Sequence, residues 1–130
     1  MSHDRIHNAQ LRSRIVSAEQ AAALIQHGET VAMSGFTGSG YPKAVPLALA
    51  ARIEQAHAAG QSFQIKLMTG ASTAPELDGA LAKADALALR MPFQSDPDAR
   101  KTINDSTLDY IASNQRHVAH PACFGVYGTR

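Results

Sequence analysis

Three apolar runs of strand length, residues 30–34, 63–67 and 86–91, each lead into a loop of small residues, and helical patterns separate the runs. Phe63, Ile65 and Leu67 alternate with Gln64 and Lys66, the period of two that lays one face of a strand on a core. Parallel neighbours cannot be joined by a tight turn. They need a crossover, and it is right-handed because twisted strands and right-handed helices pack back onto a sheet only that way. The predicted fold class is therefore α/β, a parallel sheet with flanking helices.

The helices are bounded by local chemistry. Ser17 and Gln20 have capping-box spacing, which predicts a first helix over residues 18–27, with Ala21, Leu24 and Ile25 inward and Gly28 as its stop. Pro46 suits a first turn, so a second helix starts near it and runs to Gly60 with Val45, Leu49, Ile53 and Ala56 along one face. Pro75 opens a third helix carrying Leu77, Ala80, Leu81 and Ala84. Asp96, Pro97 and Asp98 read as the N-cap and acidic first turn of a short helix through Ile103. Residues 1–14, with Arg5, Arg12 and Arg14, are expected to form a polar surface arm. No repeat or low-complexity linker divides residues 1–130, which are expected to be part of one domain. The closing segment ACFGVYGTR reads as the approach to a further strand, so the sheet is expected to be incomplete, with an uncovered edge that favours self-association or a homo-oligomer.

Composition excludes several classes of function. The chain is 45% hydrophobic and 18% charged with a formal net charge of +1, which is ordinary for a globular domain. Its Lys and Arg residues are scattered, so no basic field points to nucleic acid. No apolar run approaches the roughly 20 residues of a membrane span, and no apolar signal segment follows the N-terminus. A single cysteine, Cys123, leaves no internal disulfide framework and no Cys-rich zinc site. The expectation is a cytoplasmic protein with neither nucleic acid nor membrane as partner.

The loops GFTGSGYP, TGAST and PFQSD follow the three strands, and strand C-termini share one edge of a parallel sheet, the edge at which ligands bind. Thr37, Ser39, Ser72, Thr73 and Ser95 offer hydroxyls there, each both donor and acceptor. The first loop lacks the Gly-Lys-Ser/Thr ending of a nucleotide-phosphate loop, and its Gly-x-x-Gly-x-Gly order reverses the dinucleotide fingerprint. Nor does KLMTG carry the acid that would hold a ribose. The loop reads either as a plain turn or as a wall of a ligand crevice.

No catalytic constellation is visible. Glu19, Glu29, Glu54 and Glu76 sit in or beside helices, where solvated or dipole-facing positions are the ordinary reading. His117 and His120 lack the further ligands of a metal site, so no metal is expected. His57 reads as a dipole partner near a helix C-terminus, and Cys123, beside Ala122 and Phe124, as a buried apolar side chain.

In combination the loops say more than any one alone. VAMSGFTGSGYPKAVPLALA, LMTGASTAPELDGALAKA and MPFQSDPDARKTIN, in that order and spacing, resemble the N-terminal part of the acetyl-CoA hydrolase/transferase family. That family includes the succinyl-CoA:acetate CoA-transferases, of the class I CoA-transferase type. The likeness runs from RIHNAQLRSRIVSAEQAA to FGVYG. It implies an N-terminal, truncated part of a first α/β domain, with the second domain absent and the chain inactive by itself. It also implies covalent catalysis by a glutamate outside this chain, which moves CoA between short carboxylates through a glutamyl-CoA intermediate. CoA is then a substrate, carried as a thioester, and no cofactor is required. Ser72, Ser95 and more loosely Thr73 match positions lining the family's small-carboxylate pocket. Gly35, Phe36, Thr37, Gly38, Gly40 and Tyr41 match its active-site glycine loop. Ser95 stands where some relatives carry Thr. Two alternatives stay open: a non-catalytic orphan or interaction chain, and a sugar-phosphate-binding module on the related isomerase-like fold.

Overall fold

The computed structural model describes residues 6–112. Along the chain run α1 (Ala9–Arg12), α2 (Ala18–Ala23), β1 (Thr30–Ala32), α3 (Ala44–Ala58), β2 (Ile65–Met68), a π-helical turn (Pro75–Gly79) continuing into α4 (Ala80–Lys83), β3 (Leu87–Met91), α5 (Pro97–Asn104) and β4 (Asp109–Tyr110). The four strands form one all-parallel sheet in the order β1-β2-β3-β4. The predicted α/β class and its alternation are what the chain adopts.

Burial follows the pattern of two in β2. Ile65 and Leu67 are inaccessible while Lys66 is exposed, and Val31 of β1 pairs with Leu67 on the inner face. Leu49 and Ile53 of α3, Leu77 of the π-turn and Leu81 of α4 complete the core with Phe63 and Leu87. α3 packs on α2 and α4, and α4 on α5. Thr30, Ala32 and Lys66, on the other face of β1 and β2, are exposed. No described helix is long and apolar enough to cross a membrane.

Several expectations change in detail. The capping box is present, Ser17 Oγ accepting from Gln20 N and Gln20 Oε1 from Ser17 N, yet the helix ends at Ala23 rather than residue 27. Arg52 Nη1 donates to the carbonyls of Ala22 (2.8 Å) and Ile25 (2.5 Å), so a side chain from α3 satisfies the helix end before Gly28 is reached. Leu24, expected inward, is 76% exposed, and Ala22 takes the buried position. Strand β1 is shorter than residues 30–34 because Ser34 turns away to donate from Oγ to Gly40 O. His57 meets the carbonyl of Phe63 through Nε2 at 3.1 Å. The run 86–91 is no purely apolar strand, since Arg90 lies fully buried within it. The short β4 was not anticipated. His117, His120, Cys123 and the closing ACFGVYGTR segment lie outside the described residues.

Candidate functional site

Because β1, β2 and β3 are neighbours and parallel, their C-terminal ends emerge side by side. The strand order never reverses, so no topological switch opens a cleft between the described strands. Direct hydrogen bonds draw the three following loops together instead.

The first loop folds into a tight turn. Phe36 and Ser39 exchange two backbone hydrogen bonds of 2.9 Å, and the central residues Thr37 and Gly38 have φ of 43° and 80°, the left-handed pair of a type I′ turn. Glycine meets that demand freely, whereas a β-branched threonine does not. Thr37 is held there by donating its N–H to Ser72 O at 2.6 Å. Gly35 has φ 138°, and a Cβ on it would lie 2.8 Å from both Thr73 Cγ2 and Tyr41 Cβ. The glycine thus lets the first loop touch the second. Phe36, Thr37 and Ser39 all give their N–H groups to internal carbonyls, so these amides do not form an anion-binding nest.

The second and third loops meet through hydroxyls. Ser72 Oγ lies 2.6 Å from Ser95 Oγ and accepts from Ser95 N at 3.2 Å. Ser72 is 2% exposed, and its hydroxyl proton has no other acceptor among the described residues. Either hydroxyl can donate across that contact; with Ser72 as the donor, the exposed Ser95 keeps its own O–H for an outside acceptor. A carboxylate or a polarised carbonyl fits that arrangement. Phe36 and Phe93, from the first and third loops, are both more than half exposed and add apolar surface to the same strand ends. Beyond Ser95, an open groove of about 370 Å³ continues along Pro97, Arg100, Lys101 and Asn104 of α5.

Beneath the hydroxyls lies a charged network. Asp78 Oδ2 accepts from Thr73 N (2.7 Å) and Thr73 Oγ1 (2.6 Å), and Asp78 Oδ1 accepts from Arg90 Nε at 3.0 Å. Arg90 also donates through Nη2 to Thr69 Oγ1 (2.6 Å) and through Nη1 to Met91 O. With its amide nitrogen facing the carboxylate, Gln94 donates to Asp78 Oδ2 at 3.0 Å and accepts from Arg90 Nε at 2.9 Å. Both ionic side chains are completely inaccessible. Burial pushes the Arg90 guanidinium below its ordinary pKa, and Asp78 opposes that shift.

A second polar cluster sits at the surface. Tyr41 Oη donates to Glu76 Oε2 (3.0 Å) and Lys43 Nζ to Glu76 Oε1 (3.3 Å), while the ammonium lies 5.2 Å from the Tyr41 ring centre. Glu76, expected at a solvated or dipole-facing position, lies in the first turn of the π-helical segment and also joins the glycine loop to it. Its pKa is lowered by its own backbone N–H, then by Tyr41 and Lys43.

All nine residues read from sequence lie in the loops after β1, β2 and β3, with Ser72 and Ser95 bonded directly and Thr73 turned inward onto Asp78. Asp78, Arg90 and Gln94 were missed. The usable signal was Arg90 itself, since a guanidinium inside a buried strand needs a buried acceptor. No cluster of three or more His, Cys, Asp or Glu residues suited to a metal ion occurs among the described residues.

Comparison with known proteins adds a second line of observation. The family model of the acetyl-CoA hydrolase/transferase N-terminal domain matches residues 1–130. The chain is 41% identical to the succinyl-CoA:acetate CoA-transferase of Clostridium kluyveri over 119 residues, 92% of this chain and 22% of that protein. It is 40% identical to the propanoyl-CoA:succinate CoA transferase of Escherichia coli over 113 residues, 87% of this chain and 23% of that one. It is 29% identical to an acetyl-CoA hydrolase of Saccharomyces cerevisiae over 123 residues, 95% and 23% respectively. The chain thus spans 22–23% of the length of these curated relatives.

Proposed function

Because the chain belongs to the acetyl-CoA hydrolase/transferase family, we propose that it supplies the carboxylate-pocket side of a site that transfers CoA between short carboxylates or hydrolyses a short acyl-CoA. The observation that carries this reading is the Ser72–Ser95 pair, a buried hydroxyl bonded to an exposed one beside apolar aromatic surface, which can offer the Ser95 proton outward. A carboxylate oxygen takes that proton, and the apolar surface suits a short acyl chain. The occupied amides of Phe36, Thr37 and Ser39 favour this over a sugar-phosphate site, which would want them free.

In the proposed chemistry a glutamate from outside these 130 residues attacks the thioester carbonyl and expels CoA as its thiolate, leaving an acyl-glutamyl anhydride. The thiolate then attacks the glutamyl carbonyl, the first carboxylate departs, and a glutamyl-CoA thioester remains. An acceptor carboxylate runs the same steps in reverse, while water ends them in hydrolysis. Ser95 orients the departing and arriving carboxylates through its exposed hydroxyl, and the buried Ser72, bonded to Ser95 Oγ and N, holds that hydroxyl in place. CoA enters as a substrate in a cytoplasmic reaction, and no further cofactor is needed.

The test is CoA exchange from acetyl-CoA or succinyl-CoA to a labelled carboxylate, measured on the protein as its gene encodes it. Ser72→Ala and Ser95→Ala are each expected to raise KM for the carboxylate about tenfold, with kcat less affected. Unchanged KM in both variants overturns the role of the pair. Absence of exchange and of hydrolysis, together with a melting temperature that rises with sugar-phosphate concentration, overturns the function.

A further inference from the structure

Asp78 and Arg90 are inaccessible to any ligand, yet they hold both loops that carry the hydroxyl pair. Filling space does not require them, since a buried ion pair carries a desolvation cost that an apolar pair of similar volume avoids. What the ions add is direction. Guanidinium is a rigid planar fork of five N–H donors, and a carboxylate accepts from several sides at once.

Here the directions converge on the residues flanking the hydroxyls. Arg90 Nη2 reaches Thr69 Oγ1 and, at 3.4 Å, Ala71 O, on one side of Ser72. Asp78 grips Thr73 by N and Oγ1 on the other side. Gln94, bonded to both ions, immediately precedes Ser95. The Ser72 carbonyl fixed between these anchors in turn receives the N–H of the left-handed Thr37.

We infer that the Asp78–Arg90 pair, with Gln94, is a positioning device that sets the Ser72–Ser95 hydroxyl geometry and holds the glycine loop against it. The ligand-binding consequence rests on the function proposed above; the structural consequence does not. All three are positioning residues, acting through Ser72, Thr73 and Ser95.

Arg90→Lys tests this on the protein as its gene encodes it, because an ammonium keeps the charge beside Asp78 while losing the fork. Hydrogen–deuterium exchange at single amides is the ligand-free readout. The Ser95 and Thr37 amides, which Arg90 does not touch, are expected to exchange about tenfold faster. The Gly28 and Ile65 amides, bonded to Gln64 O and Ala86 O in the sheet region, are expected to keep their protection. In the same variant KM for the carboxylate should rise about tenfold with a smaller change in kcat. Thr69→Val, which unpairs no charge, should shift the same two amides in the same direction if Arg90→Lys does not fold. Equal acceleration at all four amides reduces the pair to general stability and overturns the inference, as does no change at Ser95 and Thr37. Should the wild type show no CoA exchange while the selective amide response persists, the proposed function fails and the positioning role stands.

Discussion

Two polar networks anchor the strand-end loops, one sealed in the interior that holds the second and third and one at the surface that ties the first to the π-turn, and they differ in what each residue can do without its partner. Asp78 and Arg90 are inaccessible, whereas the Lys43 and Glu76 side chains are 62% and 39% exposed. When a surface partner is lost, water replaces it. When a buried partner is lost, nothing does, and an uncompensated charge remains. The interior network is therefore suited to fixing geometry, and the surface one to adjusting how firmly the glycine loop lies on the π-turn.

The largest effect should come from splitting the interior pair. Arg90→Met leaves the Asp78 carboxylate buried opposite a thioether and is expected to cost about 3–5 kcal/mol, read as a lower urea midpoint with an unchanged slope. Adding Asp78→Leu should restore much of that stability, because replacing both ions with apolar side chains removes the unpaired charge. The double variant should nevertheless have a weakened carboxylate site, since Thr73 loses both of its hydrogen bonds to Asp78. A double variant no more stable than Arg90→Met would show that the network's value lies outside charge compensation.

Gly35→Ala comes next, at the seam where the two networks meet. The new methyl would sit 2.8 Å from Thr73 Cγ2, which belongs to the interior network, and 2.8 Å from Tyr41 Cβ, which belongs to the surface one. Overpacking together with a φ of 138° is expected to cost about 1–3 kcal/mol. Thermal melting should show it, and Thr37 should lose amide protection as the loop backs away from Ser72. Ser72→Ala is expected to be milder, about 1 kcal/mol, because the exposed Ser95 can turn to water for a partner. Its effect on KM for the carboxylate should exceed its effect on stability, which separates a hydroxyl that sets the Ser95 geometry from one that only stabilises the fold.

What could be read in the sequence divides along the same line. The strand-end loops, the Ser17 and Asp96 caps and the period of β2 depend on residues a few positions apart, so local pattern carries them. Ser72 and Ser95 stand out as hydroxyls at strand ends, and resemblance adds their place in a carboxylate pocket. Their direct contact became visible only when β2 and β3 were laid side by side. Arg90 was hidden inside a run taken as apolar, and the acceptor that permits it lies on the π-turn. The dipole-facing place of Glu76 is local and legible, but its contacts to Tyr41 and Lys43 are not, because those residues are 35 and 33 positions away in the chain. Leu24 failed for the same reason: Arg52, 30 residues on from Ala22, takes the carbonyls that would have continued the helix. Interactions that cross elements leave no periodic trace, and both networks are of that kind.

The smallest effect, and the one that most sharpens the contrast, is the pH response of the surface cluster. Glu76 has a folded pKa below its ordinary value, lowered first by its own backbone N–H and then by Tyr41 and Lys43. A depressed folded pKa means that the folded state holds the carboxylate ionised more strongly than the unfolded chain does. The contribution is therefore complete above the unfolded pKa and is lost as pH falls through the folded one. Below the usual carboxylate range Tyr41 should lose its acceptor, detectable as a change in Tyr41 ring chemical shifts. Glu76→Gln should remove that titration at every pH while barely moving the melting temperature, and added salt should shrink what difference remains. Arg90 should keep its charge throughout the window in which Glu76 titrates, because its protons come off only far to the alkaline side. A wild-type Tyr41 titration that persists in Glu76→Gln would assign the response to another group and dissolve the surface cluster as a unit.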